Sequence, residues 1–377
     1  MDLNFTRTDF CPPDRKSPGW QIDLIDQGQS VSQLWVVDRN LRIGGAILKM
    51  GGISTVGTHE KYRGQGLATL VMQAAIKLME REGYDVSLLH GIPNFYHRFG
   101  YVSCIPEYEI KVSVETLSKI LSGALTKPKL KLRVMVKQDR KSVLSLYHQE
   151  SQTRSGSVVR DAQGWKGFTR SAGFFMKAGV RVVVDSQNQV QGYVVFDDNQ
   201  TECKVSEIGG NREEGYNLLL SFLKGRAEKL GTDSILLTLP PDHSFSLYCR
   251  NFNCESRIQF SGNGGFMGRM IRFSSFMEKM ASGMVNQELT PNRKLSVKTE
   301  LGGCTLDVRG KEMGLKFAMD RNPVKLDASS LLQLVLGYYS ASHLKVTGKL
   351  VASATQIALL NHWFPMRNPN LNWEDRF

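Results

Sequence analysis

Residues 53–101 read ISTVGTHEKYRGQGLATLVMQAAIKLMEREGYDVSLLHGIPNFYHRFGY, and this stretch decides the fold. An apolar strand at 53–58 leads into a basic, glycine-bearing turn at 63–68, and a helix follows. The first N–H groups of a helix lack intrahelical partners and carry partial positive charge. Gly64 and Gly66 place no Cβ between the backbone and an approaching pyrophosphate. The turn therefore predicts an anion-binding site.

The second half of this stretch predicts the elements that follow the turn. Apolar side chains recur at helical spacing and form a single stripe: Leu67, Leu70, Val71, Ala74, Ala75 and Leu78. Gly83 is expected to end the helix, and a short strand follows at 86–89. A loop or helical turn opens at 93–96 and carries several aromatic side chains.

Length and composition bound the class of protein. A chain of 377 residues predicts two or three domains, and 41% hydrophobic with 22% charged residues is typical of globular proteins. No apolar run is long enough for a membrane helix, and the N-terminus has no secretory pattern. The six cysteines show no CxxC pair and no metal-ligand spacing. We therefore expect a cytoplasmic protein with reduced thiols, no metal and no membrane partner.

The net charge of +12 raises the question of nucleic acid. The basic residues are scattered except for one cluster: Lys127, Lys129, Lys131, Arg133 and Lys137. These residues alternate with apolar ones, which is typical of a strand with one solvated face. No nucleic-acid-binding motif accompanies them. The sequence favours a solvated strand and no nucleic acid partner.

The chain before the deciding stretch predicts antiparallel strands. Residues 1–30 are weakly patterned and contain proline and glycine breakers. Strands are expected at 34–37 and 41–48, with a polar turn at 38–40 between them.

An internal repeat divides the remainder. Residues 66–104 and 214–256 both read helix, glycine, strand, proline-containing loop, Tyr-x-Arg and a cysteine-bearing strand, which aligns Tyr96 with Tyr248. Glu213 and Glu214 stand at the start of the second helix, where they would repel a pyrophosphate. Only the first copy is therefore expected to bind one. The second copy is expected to wall a substrate cleft. Four aromatic residues are candidates for lining it, although core packing explains most of them better: Trp165, Phe168, Phe174 and Phe175.

The last region predicts a third α+β unit. Strands are expected at 296–300, 305–308, 314–319 and 344–346, and helices at 329–336 and 355–363.

Arg63, Gly66 and Ala68 match a Gln/Arg-x-x-Gly-x-Gly/Ala motif, and the aromatic segment FYHRFGY follows it. With these motifs, the order of elements in residues 33–105 resembles that of the Gcn5-related N-acetyltransferase (GNAT) family. More narrowly, VGTHEKYRGQGLA together with GIPNFYHRFGY resembles the Eis-like branch. The resemblance implies an α+β fold of mixed sheets with three units. These are an acetyl-CoA-binding GNAT domain at 1–126, a degenerate GNAT-like domain at 127–274 and a sterol-carrier-protein-like domain at 275–377.

The resemblance also implies the site. Acetyl-CoA contacts are expected from a set around the strand and the turn: Val56, Gly57, Thr58, Arg63, Gly64, Gln65, Gly66, Leu67, Ala68, Thr69 and Asn94. Tyr96 would be the general acid that protonates the departing thiolate, although a packed aromatic is the alternative. The Phe377 carboxylate would be the general base, against the alternative of a frayed tail.

The implied function is an acetyl-CoA-dependent N-acetyltransferase acting on a small-molecule amine. The resemblance does not identify the acceptor, for which an acidic pocket could be formed by Asp23, Asp26, Glu374 and Asp375. A GNAT domain usually begins with a strand and two helices beside the acceptor site, and residues 1–32 show no such helices. A non-catalytic acyl-CoA or lipid-binding module is the alternative function, and a homo-oligomer stays open.

Overall fold

Three β-sheets organise the chain. The computed structural model describes residues 1–9, 11, 17–121, 130–173, 175–199, 201–210, 213–284 and 293–377. We call residues 1–121 the first lobe, residues 130–270 the second lobe and residues 273–377 the third region.

The elements of the first lobe are β1 (Asp2–Thr8), β2 (Gly19–Asp26), β3 (Gln29–Ile43), β4 (Ala46–Thr58), α1 (Leu67–Arg81), β5 (Val86–Gly91), β6 (Val102–Ile105), β7 (Glu107–Ser113) and α2 (Val114–Leu121). Those of the second lobe are β8 (Lys131–Val134), α3 (Arg140–Ser151), β9 (Ala178–Val184), β10 (Val190–Asp197), β11 (Cys203–Gly209), α4 (Glu213–Leu230), β12 (Ser234–Leu237), α5 (Ser244–Cys249), β13 (Cys254–Gln259) and β14 (Gly265–Met270). The third region contains α6 (Phe273–Gly283), β15 (Lys294–Thr299), β16 (Gly302–Arg309), β17 (Glu312–Lys316), β18 (Val324–Leu326), α7 (Ala328–Leu336), α8 (Ala341–Val346), β19 (Leu350–Val351) and α9 (Ala354–Trp363).

The two lobes exchange their last strands. The first sheet has the order β1-β2-β3-β4-β5-β14-β6, and the second has the order β13-β7-β12-β11-β10-β9-β8. β14 of the second lobe pairs antiparallel with both β5 and β6, and β7 of the first lobe pairs antiparallel with both β12 and β13. The matching strand orders agree with the internal repeat. Because of the exchange, neither sheet is built from one lobe alone, and the predicted division at residue 126 does not separate the sheets.

The N-terminal strands differ from the prediction. β3 runs without a break from Gln29 to Ile43, so the predicted turn at 38–40 is wrong. Asp38 is held inside the sheet because its carboxylate accepts hydrogen bonds from Arg7 and Tyr84. The chain turns instead at residues 44–45, where Gly44 has a φ of 56°. Among the described residues before β3, the structure has β1 and β2 and no helix, as the lack of helical patterning in residues 1–32 indicated.

α1 packs on the first sheet through the predicted apolar stripe. Its buried side chains include Val71, Ala75 and Met79. β4 permits a close approach because a Cβ at Gly51 would lie 2.5 Å from Met79 Sδ. Gly52, the next residue, points to the opposite face of the sheet. This alternation separates the α1 face from the face that carries the third region.

The third region has a sheet of order β17-β16-β15-β18-β19. Its core is continuous with the first lobe, since Phe276 and Leu332 belong to the same buried cluster as Leu48 and Leu88. The predicted strand at 344–346 is wrong, because Ser340 caps a helix there by accepting a hydrogen bond from the His343 N–H. The sterol-carrier-like nature of this region stays a prediction.

Candidate functional site

β4 and β5 diverge at the centre of the first sheet. They pair in parallel only from Met50–Val86 to Gly52–Leu88. Beyond that point β4 pairs with β3 alone and β5 with β14 alone, so an opening separates 53–58 from 89–91. We call this opening the notch. Along its walls, backbone N–H and C=O groups that a continuous ladder would satisfy are left for a ligand.

A bulge shapes the β4 wall of the notch. The pairing with β3 slips by one residue between Trp35–Ser54 and Gln33–Gly57. Thr55 has a φ of 51°, which is an unusual conformation for a β-branched residue. Bulges of this kind redirect backbone groups and are frequent next to functional sites. The segment that contains the expected ligands Val56, Gly57 and Thr58 is therefore specially shaped rather than a regular strand.

The glycine turn forms the entrance of the notch on the α1 side. Gly64 and Gly66 have φ values of 80° and 77°, and nothing lies within 4 Å of a Cβ built on either one. Gly66 precedes α1 without a side-chain cap. Among the described residues, the N–H groups of Leu67 and Ala68 make no backbone hydrogen bond. These features fit a pyrophosphate, since the N–H donors are free and no side chain fills the space in front of them.

The remaining expected ligands differ in what they can offer. The Leu67 side chain is buried in the core, so only its backbone can face a ligand. Thr69 donates its N–H to the Gly66 carbonyl, and Arg63 makes a long contact of 3.5 Å from Nε to the Thr58 carbonyl. Gln65 is exposed beside them.

Asn94 lies away from the turn, at the far end of the notch, and part of its hydrogen-bonding capacity is already used. It has a φ of 61°, and its Oδ1 accepts a hydrogen bond of 2.6 Å from Asn263 Nδ2. Since Asn263 lies two residues before the exchanged strand β14, this contact belongs to the interface between the lobes.

Tyr96 lies at the end of β5. It begins a 3-10 turn at Tyr96–Phe99 and is 8% exposed. A Cβ at Gly91, the last residue of β5, would lie 3.0 Å from Tyr96 Cδ2, so the ring covers that glycine. Among the described residues its hydroxyl has no hydrogen-bond partner, and burial raises the pKa of Tyr96. The hydroxyl is therefore protonated at neutral pH and available as a donor.

Phe377 lies against the other face of the sheet at the point where the notch opens. A Cβ at Gly52 would lie 2.7 Å from Phe377 Cδ1, and Gly52 is the last residue of β4 that pairs with β5. The Phe377 side chain is 9% exposed. Phe377 and Tyr96 thus approach the same opening from opposite faces.

The tail that ends at Phe377 is anchored in the second lobe. Asp375 accepts two hydrogen bonds of 2.9 Å from Arg160, whose other edge binds Glu207 at 2.6 and 2.8 Å. Glu374 accepts from the backbone N–H groups of Thr169 and Arg170. The predicted acidic pocket is therefore wrong for Glu374 and Asp375, since both carboxylates hold the tail.

The aromatic candidates of the second lobe are placed differently from one another. Trp165 and Phe168 pack on a buried cluster with Tyr193. Phe175 is 98% exposed, and Phe174 lies outside the described residues. Of the basic cluster, Lys127 and Lys129 also lie outside them.

The corresponding opening in the second lobe is filled by this chain. β11 and β12 pair in parallel only as far as Val205–Leu237 and then diverge. His243 Nε2 contacts the Ile208 carbonyl at 3.2 Å beyond that point, and Arg160 contacts Glu207 there. Tyr248, the counterpart of Tyr96, donates its hydroxyl to Asn217.

Within the described parts of the chain, no group of histidine, cysteine, aspartate and glutamate side chains could hold a metal ion. None of the described helices is long and apolar enough to cross a membrane.

Residues 12–104 match the family model described as "Acetyltransferase (GNAT) domain". The first lobe contains a GNAT acetyltransferase domain. The match covers the notch, the glycine turn and Tyr96, and it confirms the family expected for this part of the chain. No curated protein sequence matches the chain.

Solved structures share the GNAT-like fold across nearly the whole chain. A GCN5-related N-acetyltransferase from Anabaena variabilis has a TM-score of 0.74 and 17% identity, over 95% of this chain and 89% of that one. A protein of unknown function from Enterococcus faecalis, described as a probable N-acyltransferase, has a TM-score of 0.76 and 17% identity over the same shares. Eis1 from Mycobacterium abscessus has a TM-score of 0.69 and 14% identity, over 100% of both chains. At these identities the likeness shows the fold alone.

No sequence motif indicates the contacts around the tail that ends at Phe377. Arg160 and Glu207 are distant in sequence from the tail that they hold. Glu107 begins β7 and His90 is the last but one residue of β5, and no sequence motif links these two side chains, which lie 3.7 Å apart. Only the position of Arg376 next to Phe377 could have drawn attention to it.

Proposed function

We propose that this protein is an acetyl-CoA-dependent N-acetyltransferase that acetylates an amine of a small-molecule acceptor. The observation that carries the proposal is the notch of the GNAT domain. It has an uncapped helix start with open glycines at one end and a buried, protonated tyrosine at the other. An acyl thioester attached to a pyrophosphate-bearing carrier is the chemistry that these two ends fit.

The helix start and the bulged strand would bind the carrier. The N–H groups of Leu67 and Ala68 would receive the pyrophosphate, and the open glycines Gly57, Gly64 and Gly66 would let it approach. Free N–H groups on the β4 wall would polarise the thioester carbonyl. Acetyl-CoA supplies the activated acetyl group. Positioning it beside the acceptor amine provides much of the expected acceleration.

Two groups would move the protons. As the amine nitrogen forms its bond to the acetyl carbon, the carbon–sulfur bond breaks, and the Tyr96 hydroxyl gives its proton to the thiolate sulfur. The α-carboxylate of Phe377 would accept the proton that the amine loses, directly or through a water molecule. The docking of the Phe377 ring at the opening of the notch supports this role.

A thiol-release assay with acetyl-CoA and a panel of amines tests the proposal. Tyr96→Phe should lower kcat by roughly 10²- to 10⁴-fold, the usual contribution of a positioned acid, while the Kd for acetyl-CoA stays unchanged. Because burial raises the pKa of Tyr96, any alkaline loss of activity that this residue causes should occur at a higher pH than for an exposed tyrosine. Tight acetyl-CoA binding without release for any amine would instead favour a non-catalytic acyl-CoA-binding module.

A further inference from the structure

A cavity of about 120 Å³ lies between the tail and the strands β7 and β13. Its wall includes Glu107 and Glu109 of β7, Lys204 and Arg257 of the second lobe, and Arg376 of the tail. Cations and carboxylates thus face the same small space. A cavity of this size holds several water molecules or a carboxylate with its first few carbon atoms.

Arg376 is the unusual member of this wall, because it is buried without a counter-charge in contact. It is 7% exposed, and its guanidinium stacks on Trp373 at 3.6 Å and on Phe266 at 4.4 Å. Its Nε donates to the Leu371 carbonyl at 3.3 Å. Among the described residues, the two terminal nitrogens have no hydrogen-bond partner and no carboxylate within 4 Å.

The stacking defines what Arg376 can bind. Aromatic rings cover the faces of the guanidinium, so its remaining donors lie at the planar edge. An edge with two parallel N–H groups matches a carboxylate in a bidentate arrangement. A lysine at this position would present a single point charge without that geometry.

The electrostatics of Arg376 favour the binding of an anion. Burial and, to a smaller extent, the like charge of Arg170 lower the pKa of Arg376 to about 9, while the negative charge of Glu107 partly opposes this shift. The side chain is still protonated at neutral pH, so a positive charge is held in a poorly solvated place. A buried charge is costly unless an opposite charge with hydrogen bonds accompanies it.

Two of the residues that line the cavity, Arg376 and Glu107, are next to residues at the notch on the Phe377 face of the first sheet. Arg376 directly precedes Phe377, whose ring lies on Gly52. Glu107 Oε1 lies 3.7 Å from Nε2 of His90, and His90 is in contact with the Phe266 ring on the face opposite to Tyr96. A ligand in the cavity would therefore have one end at Arg376 and the other directed towards the opening where acetyl transfer is proposed.

We infer that the acceptor is a zwitterionic, amino-acid-like molecule whose carboxylate binds the edge of Arg376 while its amine reaches the notch beside Glu107 and His90. This inference rests on the proposed function and names its substrate class. The ammonium end would first lie near Glu107 and then lose a proton before it attacks. The products are the N-acetylated acid, CoA with its thiol, and one proton. A polycationic amine without a carboxylate would leave Arg376 unpaired.

The test compares matched acceptors on matched variants. Each amino acid is assayed beside its C-terminal amide and its decarboxylated amine, which keep the amine and remove the anion. Wild-type protein should favour the acids by roughly 10- to 100-fold in kcat/KM, the range expected for a charge-assisted bidentate pair. Arg376→Gln should raise KM for the acids by that factor and leave the amides unchanged. Arg376→Lys should recover only part of the preference. Arg309→Gln removes a cation from the third region and should change nothing.

Each outcome decides one claim. Equal turnover of acids and amides, or equal losses for both in Arg376→Gln, would overturn the inference and leave the acetyltransferase standing. If no amine releases thiol, the proposed function fails. Calorimetric binding of the same acids then still tests the cavity: loss of binding in Arg376→Gln supports an amino-acid site there, and unchanged or absent binding rejects it. The Kd for acetyl-CoA, measured on every variant, reports that the fold is intact.

Discussion

The clamp on the C-terminal tail allows a quantitative prediction for Asp375→Asn. Asp375 accepts two hydrogen bonds of 2.9 Å from the buried Arg160 guanidinium. A hydrogen bond to a charged group contributes about 1.5–3 kcal/mol, and asparagine can still accept one bond at similar geometry. Glu207 keeps Arg160 paired, so the larger loss of 3–5 kcal/mol typical of an orphaned buried charge should not apply. We expect tail docking to weaken by about 2–3 kcal/mol, which is about 30- to 150-fold in the docked-to-free ratio.

Trypsin and mass spectrometry measure that ratio. The bond between Arg376 and Phe377 is cut only when the tail leaves the site, because both residues are buried. Where reclosing is fast, the cleavage rate follows the free population, so Asp375→Asn should be cut about 30- to 150-fold faster. The matched control is Asp307→Asn in the third region, whose partner Arg309 is exposed, and it should be cut at the wild-type rate. Unchanged cleavage in Asp375→Asn would refute the clamp. Full turnover after loss of Phe377 would refute its role as the base.

Three further predictions concern the notch and the stability of the fold. Gly52→Ala should displace the Phe377 ring, since a Cβ there would lie 2.7 Å from it, and we expect kcat to fall at least tenfold with an unchanged acetyl-CoA Kd. Gly66→Ala should raise the Kd for acetyl-CoA at least tenfold by placing a methyl group before the free N–H donors, whereas Gly231→Ala, at a similar φ of 69°, should cost comparable stability and leave binding unchanged. His243 is buried and neutral, and burial lowers its pKa from 6.5 to about 4. The stability that depends on neutral His243 is therefore fully present above pH 6.5 and falls by about 3 kcal/mol as the pH is lowered to 4. The free energy of unfolding of His243→Asn, measured in urea, should depend less on pH over that interval than that of the wild type.

The local parts of the site could be predicted from sequence because their causes are local. The glycine turn, the helix start after Gly66 and the turn at Tyr96 each depend on residues within one short stretch. The internal repeat indicated two similar halves, and the matching strand orders agree with it. The errors were local as well. Asp38 looked like a turn residue, although Arg7 and Tyr84 hold it inside a strand.

The contacts that complete the site could not be predicted, because their partners are far apart in sequence. Arg160 and Asp375 come from different regions, and the sequence around neither residue indicates that the other is its partner. The exchange of β7 and β14 could not be predicted either. Each strand could also pair with the equivalent strand edge of its own lobe, so its sequence does not indicate which sheet it joins. Phe377 was expected at the site only through resemblance, and its packing on Gly52 is visible only in the folded chain.

The exchanged strands also set the order in which the protein can be made. During synthesis the edge between β5 and β6 stays open until β14 leaves the ribosome, because no earlier segment occupies that position. At typical elongation rates this interval lasts on the order of ten seconds or more. Over that time the nascent first lobe exposes unpaired strand edges of the kind that recruit other chains. The sheet of the acetyltransferase domain is therefore completed by a strand that is translated long after the motifs of the domain. A chain released before β14 has been translated would keep an unfilled position between β5 and β6.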